Sequence, residues 1–121
     1  MPLAMILEGP MRIVARETPR RALQPWEARV AVERAGVCGT DLAIWSGAYV
    51  VPLPLTPGHE WVGRVIEAGD PAAGREWSGR RVTAGINITC LSRGETAPCA
   101  ACRRGESTHC LRREVTGIIK A

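Results

Sequence analysis

The chain contains no phenylalanine and a single tyrosine among its 121 residues, so large apolar volume must come from Val, Ile, Leu and four tryptophans. No apolar run approaches the ~18 residues that a membrane-spanning helix needs, and no membrane partner is expected. Met1 to Gly9 lacks both a basic start and a long apolar stretch. A secretory signal is therefore not expected, and a cytoplasmic location is the default. Scarcity of aromatics also bears on the net charge of +4. The basic residues gather as Arg16, Arg20 and Arg21 and as Arg103, Arg104, Arg112 and Arg113, the second group punctuated by Glu95, Glu106 and Glu114. With so few rings to stack on bases, a solvated surface accounts for this charge better than a nucleic-acid partner.

What remains is an ordinary soluble composition, 45% hydrophobic and 23% charged, at a length that supports one core rather than two. Cysteine is the exception. The five are Cys38, Cys90, Cys99, Cys102 and Cys110. An odd count without a secretory signal argues against a disulfide framework and for metal or reactive thiols.

Short β-like runs separated by Gly and Pro dominate the rest. Ala4 to Leu7 and Arg12 to Ala15 read as a hairpin turning through Gly9 and Pro10. Trp26 to Val37 alternates through Ala28, Val30, Val32 and Ala35 as a half-buried strand; Glu60 to Glu67 and Arg80 to Ile86 give two more. Cys38 to Trp45 fits a short helix opened by Thr40 and Asp41. Three prolines between Tyr49 and Gly58 exclude a regular helix or central strand there. This pattern predicts an antiparallel, barrel-like β domain.

Thr89 to Cys110 is polar, aperiodic and too long for an unsupported loop in a compact domain. Cys99-Ala-Ala-Cys102 places two thiols on one turn, close enough to share a tetrahedral ion. Cys110 offers a third ligand and Cys90 a fourth, and four thiolates on Zn²⁺ would make a closed, structural site. His109 in place of Cys90, or free thiols that merely pack, are the alternatives. A redox dithiol would need a βαβ context that is missing.

A second constellation is Cys38-Gly39-Thr40-Asp41 with Gly58-His59-Glu60. A catalytic zinc takes three protein ligands and keeps one position open. Cys38 and His59 supply two, and Glu60 is the nearest third group. The Thr40 hydroxyl is placed to carry a proton away from an alcohol, and Asp41 to orient His59 through its other ring nitrogen.

These motifs, with Gly63, Gly79-Arg80-Arg81-Val82 and the cysteine lobe following in order, resemble the zinc-dependent medium-chain alcohol dehydrogenases from about Met5 to Ile118. The resemblance implies a GroES-like antiparallel β-barrel with short helices and a zinc-binding lobe at about 89–112. It implies one catalytic zinc on Cys38 and His59 and one structural zinc in the lobe. Hydride transfer between a small alcohol or polyol and NAD or NADP is the implied chemistry, in an enzyme that is homo-oligomeric at full length. Four departures stand out. Thr96 occupies the first position of the family's CxxCxxC spacing, so Leu91 to Pro98 is expected to loop out and let Cys90 reach the ion. Ala43 replaces a relay histidine, and Arg80 replaces the Asp of the Gly-Asp-Arg-Val turn. Finally, no GxGxxG follows a strand, so residues 1–121 are expected to be the catalytic domain alone, without its nicotinamide-binding Rossmann domain. On that reading the chain is inactive by itself, the third catalytic ligand is expected beyond Ala121, and Gly117 to Ala121 begin the next strand. A stand-alone zinc-binding interaction module using the lobe arginines is the alternative.

Overall fold

The computed structural model describes residues 1–119. Seven strands and three short α-helices follow in the order β1 (Leu3–Gly9), β2 (Arg12–Glu17), β3 (Ala28–Gly36), α1 (Gly39–Ser46), β4 (Glu60–Ala68), α2 (Pro71–Trp77), β5 (Arg81–Val82), β6 (Asn87–Ile88), α3 (Ala100–Arg103) and β7 (Glu114–Val115). Among the described residues the strands form three antiparallel sheets, β1-β2, β3-β4-β5 and β6-β7. The mainly β character expected from the sequence holds.

β1 and β2 make the anticipated hairpin, with Ile6 opposite Val14 and Met11 at a positive φ of 60° in the turn. The turn is anchored where the Met11 amide donates to the Trp45 carbonyl at 2.7 Å. That bond fixes the hairpin against the end of α1. Leu7 exchanges two backbone hydrogen bonds with Leu55, at 2.8 and 3.0 Å, so the proline-rich segment lies along β1. Leu7, Ile44, Leu55, Val115 and Ile118 then close into one core cluster. Burying each such side chain stabilises by ~1.5–3 kcal/mol. The cluster joins α1, the segment leading to His59 and the exit of the cysteine lobe, and so sets the frame for both cysteine-bearing regions.

β4 is the central strand of the three-stranded sheet. Ion pairs Arg64–Glu33 at 2.9 Å and Arg81–Glu33 at 3.0 Å join its strands, and Arg29 pairs with Glu67. Val30, Val32, Trp61, Val65 and Val82 instead line a groove shared with Trp77 of α2. Bulges after Arg29 and after Val32 interrupt the pairing, so the regular alternation expected through Ala35 fails. Ala35 lines a different cavity, and Val32 stays 56% exposed. Gly63 is required where β4 pairs with β3 beside the bulge after Val32, because a Cβ there would meet the Ala31 carbonyl oxygen at 2.3 Å.

Several expectations need correction. The third strand is only Arg81–Val82, and a separate strand, Asn87–Ile88, follows after a break. Helix α2 was not anticipated, although its signal is present: Asp70 accepts from the amides of Ala72 and Ala73, and Pro71 fills the first turn. α1 begins at Cys38 as its cap, and Asp41 acts from the third helical position rather than as the cap itself. Gly117 to Ile119 form a turn rather than a strand, and Lys120 and Ala121 lie outside the described residues.

Candidate metal centres

Each lobe cysteine is delivered by a short element. Cys90 follows β6, Cys99 caps α3, Cys102 lies on it one turn later, and Cys110 follows a 3₁₀ turn at Ser107–His109. The i,i+3 spacing puts Cys99 and Cys102 on the same side of α3. All four side chains are buried, and their sulfurs lie within 4.8 Å of one another. Cys90 Sγ is 3.6 Å from Cys110 Sγ, and Cys99 Sγ is 3.9 Å from it. A disulfide needs about 2.05 Å. Sulfurs each about 2.3 Å from one tetrahedral zinc would be roughly 3.8 Å apart. The separations therefore fit a four-thiolate ion site.

Backbone amides aim at the same sulfurs. Cys99 N donates to Cys90 Sγ at 3.5 Å and Leu111 N to Cys99 Sγ at 3.4 Å. Donation from the amides of Cys102 and Leu111 brings the Cys99 thiol down to about 6. Burial pushes Cys102 the other way, up to about 12, with its three neighbouring thiols adding to the effect. For Cys110 burial acts upward but is outweighed by hydrogen bonding from the Cys90 and Arg112 backbone, and its pKa falls. Four buried thiols that cannot all ionise alone are a donor set suited to a dication. His109 is exposed and Thr96 is exposed; neither belongs to the group.

In the second centre, Cys38 Sγ lies 3.3 Å from His59 Nε2. Ligand bonds of about 2.3 and 2.0 Å at a tetrahedral ion would hold these two atoms roughly 3.5 Å apart, so the pair fits a shared metal. Asp41, 9% exposed at the first turn of α1, reaches both. Its Oδ2 accepts from the Cys38 amide at 3.0 Å, and its Oδ1 faces His59 Nδ1 at 3.4 Å. The latter two atoms are buried and face each other without the alignment of a full hydrogen bond. One carboxylate thus fixes the backbone of the thiol and the ring of the imidazole.

The other expected residues are placed differently. Thr40 is exposed on the first turn of α1, and Ala43 is half-buried one turn on. Glu60 is exposed at the start of β4 and reaches back over Gly36, where a Cβ would meet its Oε2 at 2.9 Å; it does not join Cys38, Asp41 and His59. Gly117, at φ 69°, packs onto Gly58 so closely that a Cβ would meet the Gly58 carbonyl oxygen at 2.1 Å. The chain leaving the lobe therefore abuts the residue before His59. Trp45 and Trp61, which flank the two motifs, line separate cavities.

A family model of the alcohol dehydrogenase GroES-like domain matches residues 24–119. The chain belongs to the zinc-dependent medium-chain alcohol dehydrogenases. A probable alcohol dehydrogenase of Mycobacterium tuberculosis is 41% identical over 110 residues, covering 90% of this chain and 31% of that protein. The alcohol dehydrogenase of Thermus sp. ATN1 superposes at a TM-score of 0.75 with 32% identity, over 98% of this chain and 32% of its own. A protein of Sinorhizobium meliloti 1021, a candidate zinc-binding dehydrogenase solved with NADP, gives 0.77 and 34% identity, with coverage of 98% and 32%. The GroES-like fold class follows from this likeness. The chain spans about a third of the length of these relatives. No described helix is long and apolar enough to cross a membrane.

Proposed function

We propose that this GroES-like domain serves an alcohol or polyol dehydrogenase that moves a hydride between its substrate and NAD or NADP. The observation that carries the reading is Cys38 Sγ at 3.3 Å from His59 Nε2, with Asp41 behind the imidazole. Cys38 and His59 hold a catalytic zinc, and Cys90, Cys99, Cys102 and Cys110 hold a structural one. Bound at the first site, zinc would supply Lewis-acid polarisation of the substrate oxygen.

The chain's own residues do the rest. Asp41 favours the His59 tautomer that carries its proton on Nδ1, leaving Nε2 free to ligate. The exposed Thr40 hydroxyl, two residues from Cys38, takes the alcohol proton and passes it outward. Ala43 has no group to receive it, and the exposed first turn of α1 lets Thr40 give it to solvent water. Glu60 sits one residue from His59 and is a reserve oxygen ligand reached by a change of rotamer. No GxGxxG fingerprint for NAD or NADP occurs within residues 1–121.

The alternative of an interaction module presenting Arg103, Arg104, Arg112 and Arg113 finds less support. Arg104 pairs with Glu106 and Arg112 with Glu95, while Arg103 and Arg113 donate to the carbonyls of Pro98 and Thr108. The test is a chimera in which residues 1–119 replace the matching domain of the M. tuberculosis relative. Zinc-dependent alcohol oxidation with NAD or NADP, lost in Cys38→Ser, is expected. A folded, zinc-loaded chimera inert toward alcohols and polyols would refute the proposal.

A further inference from the structure

The lobe has an engineering problem that its cysteines do not solve. Cys99 and Cys102 are joined by one helical turn, but eight residues separate Cys90 from Cys99, so no shared turn holds Cys90 with the others, and the Cys99 amide reaches its sulfur only at a long 3.5 Å. A longer loop carries a larger closure entropy, and an unordered Cys90 would leave three thiolates. Within that loop lies a set of polar contacts absorbed by neither centre.

Glu95 is the hub. Its Oε1 accepts from Arg93 Nε at 2.7 Å, and its Oε2 pairs with Arg112 Nη1 at 2.9 Å. Arg93 Nη2 donates to the Arg112 carbonyl at 3.0 Å, and Arg112 Nη2 to the Ala97 carbonyl at 2.7 Å. The Glu95 amide donates to the Cys90 carbonyl at 3.0 Å. Thr89 and Ser92 close the start of the loop, each amide donating to the other's hydroxyl oxygen at 3.2 and 3.3 Å. Arg93 and Glu95 are largely covered, at 14% and 25% side-chain exposure, unlike the neighbouring Arg104–Glu106 pair at 61% and 50%. Arg112 stands two residues after Cys110. The contacts therefore tie the loop after Cys90 directly to the chain that carries Cys110, the thiol 3.6 Å from Cys90.

We infer that Arg93, Glu95 and Arg112 form a clamp that positions Cys90 as the fourth thiolate and so governs how slowly the lobe releases its zinc. The inference rests on the four-thiolate reading of the lobe. Glu95 also hydrogen-bonds the Cys90 side chain and the Arg112 backbone bonds the Cys110 sulfur, so the clamp acts on two ligand thiols without being a ligand itself, and its effect is read on the metal.

The experiment uses the full chain loaded with zinc, in wild type, Glu95→Gln, Arg112→Ala and the control Glu106→Gln. Zinc release to a chromophoric chelator is followed by stopped flow. A parallel set loaded with Co²⁺ is read by its thiolate-to-metal charge-transfer absorption. Loss of an outer partner usually weakens a metal site by about 10- to 100-fold. Release should accelerate about tenfold in Glu95→Gln and Arg112→Ala but not in Glu106→Gln, with weaker charge-transfer absorption in the two clamp variants. Glu95→Gln keeps size and shape, so it reports even if Arg112→Ala disorders the loop. Equal release from all four proteins, in a wild type that holds lobe zinc, would overturn the clamp alone. A folded wild type that binds neither metal at the lobe would overturn the four-thiolate reading with it.

Discussion

Replacing Asp41 separates the two duties of one carboxylate. Its Oδ2 accepts from the Cys38 amide at 3.0 Å, completing the start of α1, and its Oδ1 stands 3.4 Å from His59 Nδ1. Asp41→Ala removes both. Loss of such a helix-terminal bond costs about 1 kcal/mol, which lowers the melting temperature by about 4 °C in a domain of this size. Loss of the histidine's partner costs about 10- to 100-fold in metal affinity, or roughly 1.4–2.7 kcal/mol.

Asp41→Asn is more informative. A carboxylate can accept twice, but an amide has one oxygen and a donating nitrogen. With its oxygen on the Cys38 amide, the Asn nitrogen points at His59 Nδ1 and favours the tautomer that protonates Nε2, the atom facing Cys38. The variant should melt within about 1 °C of wild type yet bind its weaker zinc about tenfold or more less tightly. Chelator competition under conditions that keep the lobe loaded measures the affinity, and thermal denaturation followed by circular dichroism measures the fold. Wild-type zinc affinity in Asp41→Asn would refute the claim that Asp41 sets the imidazole.

Other perturbations probe the fold and the lobe. In the metal-free chain Cys99 ionises at about 6 rather than 9.0, because the amides of Cys102 and Leu111 favour its thiolate. Thiolate absorbance at 240 nm should therefore rise with a first midpoint near 6, and its absence below pH 8 would contradict this. A lowered folded pKa stabilises above the unfolded value and ceases to do so as pH falls through the folded one. Metal-free stability should thus climb from about 6 to 9, while the raised Cys102 begins to oppose it only above that range. Leu7→Ala, at a site 1% exposed in the core that joins α1 to the lobe exit, should cost about 2–5 kcal/mol in denaturant titration. A cost below 1 kcal/mol would mean that cluster does not hold the domain together. Gly63→Ala drives a Cβ to 2.3 Å from the Ala31 carbonyl and should lose about 1–3 kcal/mol, with unchanged stability refuting the close approach of β4 to β3 at Gly63.

Both clusters that could hold a metal were legible in the sequence as residue types at telling spacings, because thiols and imidazole carry chemistry that few other roles demand. The hairpin and the α1 helix were legible too, since Gly9-Pro10 and the bond from the Cys38 amide to the Asp41 carboxylate act locally. What escaped depends on distant partners. Strand β5 shrinks to Arg81–Val82, the residues in register with Gly63 and Arg64 of β4, while Ile86 instead bonds to Thr116. The bulge after Val32 redirects Ala35, which no two-residue periodicity can foresee. The carboxylate of Glu60 turns over Gly36, a side-chain choice that adjacency to His59 does not reveal. Helix α2 was readable from Asp70-Pro71 but weakly apolar, and it packs on β4 without a buried residue of its own.

The account turns on two metal sites of different kind in one small domain. Native mass spectrometry of the zinc-saturated chain tests this most directly, in wild type, Cys38→Ser and Cys99→Ser. Two zincs are predicted for wild type and one for Cys38→Ser with its fold intact. Cys99→Ser should lose the lobe zinc together with the order of the lobe. A folded wild type carrying no zinc, or a Cys38→Ser chain that retains two, would contradict the account.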